Sequence, residues 1–206
     1  MTKIDEKNQN IENYDKSAVF HSKKFDEIGA RVDDINKSFS YINKINPKVI
    51  EIGCGNGRDA KEIIKRTNDY LGIDLSKGML EQAKMNVPEA KFLLADLENY
   101  EFSPGVDIVF AFASLLHSDK ESIEKIVKSI YDSMNNSGVF FISLKYGDYH
   151  KETLDREGFG PRTYYFYNPN EIKNISPSGF NMVYQDIQDF RDQKWFSVIL
   201  QKMAGL

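Results

Sequence analysis

Cysteine is nearly absent: Cys54 is the sole one in 206 residues. That rules out an intrachain disulfide and a cysteine-rich metal site, and it fits a reducing compartment. Histidine is scarce too. His21, His117 and His150 are too dispersed to read as a zinc site, and no carboxylate cluster has convincing metal-binding spacing, so no metal is expected. No apolar run approaches the ~18–20 residues of a membrane span. The opening MTKIDEKNQNIENYDK lacks the apolar stretch of a secretory leader. No membrane role and a cytoplasmic location are therefore the expectation. A basic excess is missing as well: 27 Lys and Arg stand against 31 Asp and Glu, a net charge of −4. That balance argues against a nucleic-acid partner.

What is present belongs to a globular chain, with 41% apolar and 28% charged residues in ordinary proportion. The length suits one α/β domain and is too short for two ordinary ones. Residues 1–13 are polar and read as a frayed end. From Tyr14 to Ile45, the spacing of Ala18, Phe20, Phe25, Ile28, Val32, Ile35, Phe39 and Ile42 predicts one or two amphipathic helices. Strand-like runs follow at 48–53, 70–76, 91–96, 106–113 and 139–144. Helices are predicted between them at 58–66, 77–86 and about 119–134, with NNSG (135–138) as a turn. Consecutive apolar positions in these strands point to a parallel sheet covered on both faces. A helix at 169–175 then precedes two extended runs, 180–190 and 194–202, which read as an antiparallel hairpin. The expected fold is α/β: a Rossmann-like, seven-stranded, mostly parallel sheet with an antiparallel C-terminal hairpin, helices on both faces and an N-terminal helical extension.

The chemistry centres on VIEIGCGNGRDA (49–60), where glycines alternate directly after the first strand. Missing Cβ atoms there let the main chain turn sharply and lie bare against a ligand. A dinucleotide fingerprint would need its third glycine at position 58, which is Arg58. A phosphate loop would need a Lys-Ser/Thr pair that is not there. The ligand is thus expected to lack a pyrophosphate. Asp74 closes the second strand, where a carboxylate can accept from both hydroxyls of a ribose. Asp96 closes the third, where it can face an adenine amino group. Either could instead be a helix cap or a solvated residue.

The ordered set EIGCGNG (51–57), GIDLS (72–76), LLADLEN (93–99), DIVFAFASLLH (107–117) and NNSGVFFISLK (135–145) resembles the class I S-adenosylmethionine-dependent methyltransferases, and the C-terminal block resembles their small-molecule members more loosely. The resemblance implies S-adenosylmethionine as cofactor. Glu51, Gly53, Gly55 and Gly57 would line its methionine half, with Cys54 inside the same loop. Asp74 would hold the ribose, Leu75 and Met79 the adenine face, Asp96 and the main chain at Leu97 the adenine edge. Phe112 and Ala113 would flank the sulfonium, and Arg58 and Tyr14 would add contacts from the loop and a helical lid. For these two the bland alternatives are a surface arginine and a packing aromatic.

His117, just past the fourth strand, is the candidate general base; the alternative is a structural histidine bonded to nearby backbone. Arg162 and Tyr164 are candidate acceptor contacts, or else ordinary sheet packing. The implied layout is a single domain over 1–206: a lid at 1–45, a cofactor core at 46–145 and a substrate-side segment at 146–206. The implied activity is methyl transfer to a small-molecule acceptor by a monomer or homodimer. The rivals are methylation of tRNA or protein, a silent cofactor-binding regulator, and an NAD(P)-dependent oxidoreductase.

Overall fold

The computed structural model describes residues 2–204. Seven strands form one sheet in the order β3-β2-β1-β4-β5-β9-β8. These are β1 (Val49–Ile52), β2 (Tyr70–Asp74), β3 (Phe92–Leu94), β4 (Val106–Phe112), β5 (Met134–Lys145), β8 (Phe180–Phe190) and β9 (Gln193–Lys202). Strands β1 to β5 pair in parallel, while β9 runs antiparallel to both β5 and β8. Every residue of β1 and β4 is buried, as a parallel sheet covered on both faces requires. One apolar cluster packs α6 (Lys120–Ser133) and α7 (Pro169–Ile175) on one face. The other lies under α3 (Val32–Ser40) and α4 (Ala60–Ile63). Because β1 pairs with β2 on one side and β4 on the other, strand order reverses there, and a crevice opens beyond the strand ends.

Four details depart from the reading of the sequence. Residues 3–13 are not frayed. They belong to α1 (Lys3–Lys16), opened by a capping box between Thr2 and Asp5. This helix is nearly all polar because it is held by hydrogen bonds rather than by an apolar stripe: Thr163 N–H donates to Asn10 Oδ1 (3.0 Å) and Asn13 Nδ2 donates to the Pro161 carbonyl (2.6 Å). With α2 (Ala18–Ile28) and α3 it makes three N-terminal helices.

The helix expected over 58–66 shrinks to α4, which ends on a tighter Arg66 N–H to Ile63 carbonyl bond. NNSG is not a free turn but a bulged start to β5. Ser137 takes φ 64° and the ladder with β4 shifts between Val106 and Ile108. Finally, the tyrosine-rich stretch folds into a separate antiparallel hairpin, β6 (His150–Leu154) with β7 (Arg162–Phe166). Helix α5 (Lys77–Asn86) is preceded as expected by its cap, where Ser76 Oγ accepts from Met79 N–H. Among the described residues no helix is long and apolar enough to cross a membrane.

Candidate functional site

A cleft of about 780 Å³ opens at the carboxyl ends of β1, β2 and β4, within the ~300–1,000 Å³ usual for small-molecule sites. Its floor is main chain. Gly53 (φ 66°) and Gly55 (φ 55°) sit in the left-handed region. A Cβ on Gly53 would fall 2.1 Å from the Ser114 Cβ, so only bare backbone lets the β1 loop meet the segment after β4. Gly53 and Cys54 N–H both donate to the Ile73 carbonyl (2.7 and 3.1 Å), locking the loop to β2. Ala113, directly after β4, is also left-handed at φ 55°. Such strain in a non-glycine residue gathers at functional sites.

Around this floor stand most of the anticipated residues. Gly53, Cys54, Gly55 and Arg58 line the cleft from the loop, Asp74, Leu75 and Met79 from β2 and α5, and Glu51 from the floor. Asp96 and Leu97 line the side beyond β3, and Phe112, Ala113, His117 and Tyr14 the opposite side. Three residues stand back from it. Gly57 faces Ala83 and Phe92 in the packing layer, Arg162 is buried behind Tyr14 with its guanidinium 4.8 Å from that ring, and Tyr164 packs behind His117 at 4.9 Å.

Asp74 accepts from Gly55 N–H (2.8 Å) and Ser76 N–H (2.9 Å). Burial raises its pKa and these backbone donors pull it back. Glu51 accepts from the Tyr70 hydroxyl (2.6 Å); burial, with Asp59 nearby, raises its carboxyl well above the usual range. Burial likewise pushes up the Cys54 thiol. Asp96 is gripped by Lys7 of α1, whose ammonium reaches both carboxylate oxygens at 2.6 Å and Glu98 at 2.9 Å.

The sequence reading missed Arg31. It lines the cleft between α2 and α3, its guanidinium 5.2 Å from the Phe112 ring. Its main-chain N–H donates to Asp59 (2.8 Å), and Arg58 also pairs with Asp59. Arg31 Nη1 is buried without a hydrogen-bond partner among the described residues. Burial, with Arg58 alongside, lowers the guanidinium pKa to about 10. Its one signal in the sequence is the break in helical periodicity at Gly29-Ala30, which places a loop over the crevice.

His117 ends a short 3-10 turn, Leu115–His117. Its Nδ1 lies 2.6 Å from the Thr163 carbonyl, which can only accept, so Nδ1 carries the proton. Nε2 therefore accepts from the Tyr14 hydroxyl at 3.1 Å. Burial, reinforced by Arg162 and Lys145, drives the pKa of this imidazole down to about 3, against the bond to Thr163. Arg162 is committed elsewhere, to Glu157 and to His21 Nε2 (2.7 Å).

A family model described as a methyltransferase domain matches residues 49–138, the stretch that builds this floor. That stretch is similar to a methyltransferase domain. It is 38% identical over 69 residues to the trans-aconitate 2-methyltransferase of Enterobacter sp. (strain 638), an alignment covering 32% of this chain and 27% of that protein. To malonyl-[acyl-carrier protein] O-methyltransferase 1 of Ilyobacter polytropus it is 24% identical, over 100% of this chain and 79% of that one. The chain thus spans about a quarter of the length of the trans-aconitate enzymes it matches locally. The methyltransferase fold extends further than the sequence likeness. The Burkholderia thailandensis 1,6-didemethyltoxoflavin-N1-methyltransferase, solved with its substrate and S-adenosylhomocysteine, superposes with a TM-score of 0.69. That superposition covers 93% of this chain and 87% of that one at 14% identity.

Proposed function

We propose that this protein is an enzyme transferring a methyl group from S-adenosylmethionine to a small-molecule acceptor. The observation carrying the proposal is the cleft's charge pattern. A half-buried carboxylate at the end of β2 and bare, left-handed main chain line one part of it, and a half-buried guanidinium, whose buried Nη1 finds no hydrogen-bond partner among the described residues, lines another. These suit a ligand with sugar hydroxyls at one end and a carboxylate at the other. Asp74 would take the ribose hydroxyls on the lone pairs left by Gly55 and Ser76. Arg31 would take the methionine carboxylate, while Leu75 and Met79 would pack the adenine.

The bound cofactor supplies an electrophilic methyl group on a sulfonium. The chain's part is to align the acceptor and exclude water, which accounts for much of such an acceleration. We assign His117 to positioning. With Nδ1 tied to Thr163 and its pKa far below neutrality, it is a weak base, but it fixes the Tyr14 hydroxyl over the cleft. The α1 helix acts as a lid, residues 46–145 as cofactor core and the β6–β7 hairpin as acceptor-side wall. The lone buried thiol suits a cytoplasmic setting.

Calorimetry with S-adenosylmethionine on wild type and Asp74→Ala tests the proposal. A loss of about tenfold or more in affinity is expected from removing a charge-assisted pair of hydrogen bonds. Methyl transfer from labelled cofactor into a metabolite extract then reads turnover. A folded wild type that takes up no cofactor would end the proposal.

A further inference from the structure

Lys145 ends β5, two residues after Ser143 and so on the same face of the strand; Ser143 lines the cleft. Across the ladder it pairs with Trp195, which also lines the cleft. Lys145 is only 4% exposed. Among the described residues nothing stands within hydrogen-bond or ion-pair distance of its ammonium. It rests instead 3.9 Å from the ring centre of Tyr164 and 5.3 Å from that of Phe166. The Arg156 guanidinium reaches the same Tyr164 ring at 5.7 Å, again with no acidic partner among the described residues.

Arg162, 5.8 Å from that ring, is neutralised by Glu157, which also holds Lys24 at 2.8 Å. Glu152 sits opposite Tyr164 in the hairpin but is approached by His150 (3.4 Å), and it acts on Lys145 only from beyond ion-pair reach. Two cations without an acidic partner among the described residues therefore share one aromatic ring, Lys145 buried and Arg156 exposed to solvent. A nearly buried ammonium without a partner is costly, and a second cation on the same ring adds repulsion that the ring's negative face only partly offsets. Burial and then Arg156 lower the Lys145 pKa to about 8.

Position supplies the rest. Sheet order sets β5 on the far side of β4 from β2 and β3, away from the Asp74 and Asp96 end and beside Phe112 and Ala113. His117, on the cleft wall, packs on the same Tyr164 ring.

Resting on the methyl-transfer reading above, we propose that Lys145, Arg156 and Tyr164 form the anion subsite of the methyl acceptor, which is a small carboxylic acid. Its carboxylate docks between the two cations, and its body lies against Trp195 in the cleft. The acceptor's charge is thereby fixed at one end of the cleft while its nucleophilic atom turns toward Ala113.

Trp195 is the chain's single tryptophan, so its fluorescence reports this subsite without a label. Protein saturated with S-adenosylhomocysteine is titrated with benzoate and with its neutral isostere benzamide. A saturable change with benzoate is expected, with benzamide at least about tenfold weaker. Lys145→Met and Arg156→Gln, checked for folding by their thermal midpoints, should each weaken benzoate by about tenfold or more while calorimetric affinity for S-adenosylmethionine holds. The subsite is refuted if benzamide binds as well as benzoate, if benzoate gives no saturable response, or if Lys145→Met retains full benzoate affinity. The titration is repeated without nucleoside. Benzoate binding in a protein that takes up no S-adenosylmethionine would support the anion site and overturn the methyl-transfer reading alone.

Discussion

The floor of the cleft and its roof are joined by different kinds of bond. The floor is main chain on main chain, with Gly53 and Cys54 donating to Ile73 and Asp74 clasping the amides of Gly55 and Ser76. The roof, α1 and the β6–β7 hairpin, is tied almost wholly by side chains. Lys7 grips Asp96 and Glu98, Lys151 reaches Glu6 (2.7 Å), and Asp15 accepts from Ser76 Oγ (2.6 Å). Backbone geometry tolerates few substitutions, whereas part-exposed ion pairs each contribute only about 0–1 kcal/mol and weaken with salt. Of the two parts of the roof, α1 buries only Asn10 and Asn13 and can open at smaller cost than the floor, whereas β7 is anchored in the core by Tyr164, Tyr165 and Phe166.

The sharpest way to break this contrast is Gly53→Ala. Its Cβ would collide with Ser114 from a left-handed backbone, and a loss of about 3 kcal/mol or more in chemical denaturation is expected. A near-neutral result would show that the floor is not rigid.

Next comes acid. The histidines tying the roof, His117 and His21, have folded-state pKa values of about 3 and about 4 against an ordinary 6.5, chiefly through burial. Above pH 6.5 both folded and unfolded chains hold them neutral, so they do not affect stability. As pH falls below 6.5 the unfolded chain binds protons that the folded one refuses. Stability is lost until each folded pKa is reached, at up to about 1.4 kcal/mol per pH unit per histidine. His117→Gln should flatten that slope between pH 6.5 and 4 in urea titrations.

Arg31→Met separates binding from folding at the seam between the two regions. Removing an orphaned buried charge should leave the thermal midpoint unchanged or raise it, while cofactor affinity in calorimetry drops about tenfold. The smallest effect belongs to the roof itself. Lys7→Ala should cost no more than about 1 kcal/mol and make cofactor on-rates, followed by stopped flow, less dependent on salt.

Legibility in the sequence followed the same divide. The sheet, its antiparallel closing hairpin and the glycine loop could be read because each rests on local rules: apolar runs the length of a strand, and bare backbone where a side chain will not fit. Asp74 and Asp96 could be placed because strand ends recur at fixed spacing. The polar α1 helix could not be read, since Asn10 and Asn13 find their partners about 150 residues away, in β7 and just before it, and leave no apolar periodicity behind. The β6–β7 hairpin was equally hidden, its tyrosines serving a packing layer rather than a sheet face.

What the sequence determined alone was thus the parallel core and the loop that bares its backbone, because both follow from steric and periodic constraints within a few residues. Tertiary structure decided which charges meet. Lys7 falls on Asp96, Tyr14 on His117 and Glu157 on Arg162, while the Arg31 guanidinium and the Lys145 ammonium find no acidic partner among the described residues. Such pairings depend on where distant segments come to rest, and no local spacing encodes that.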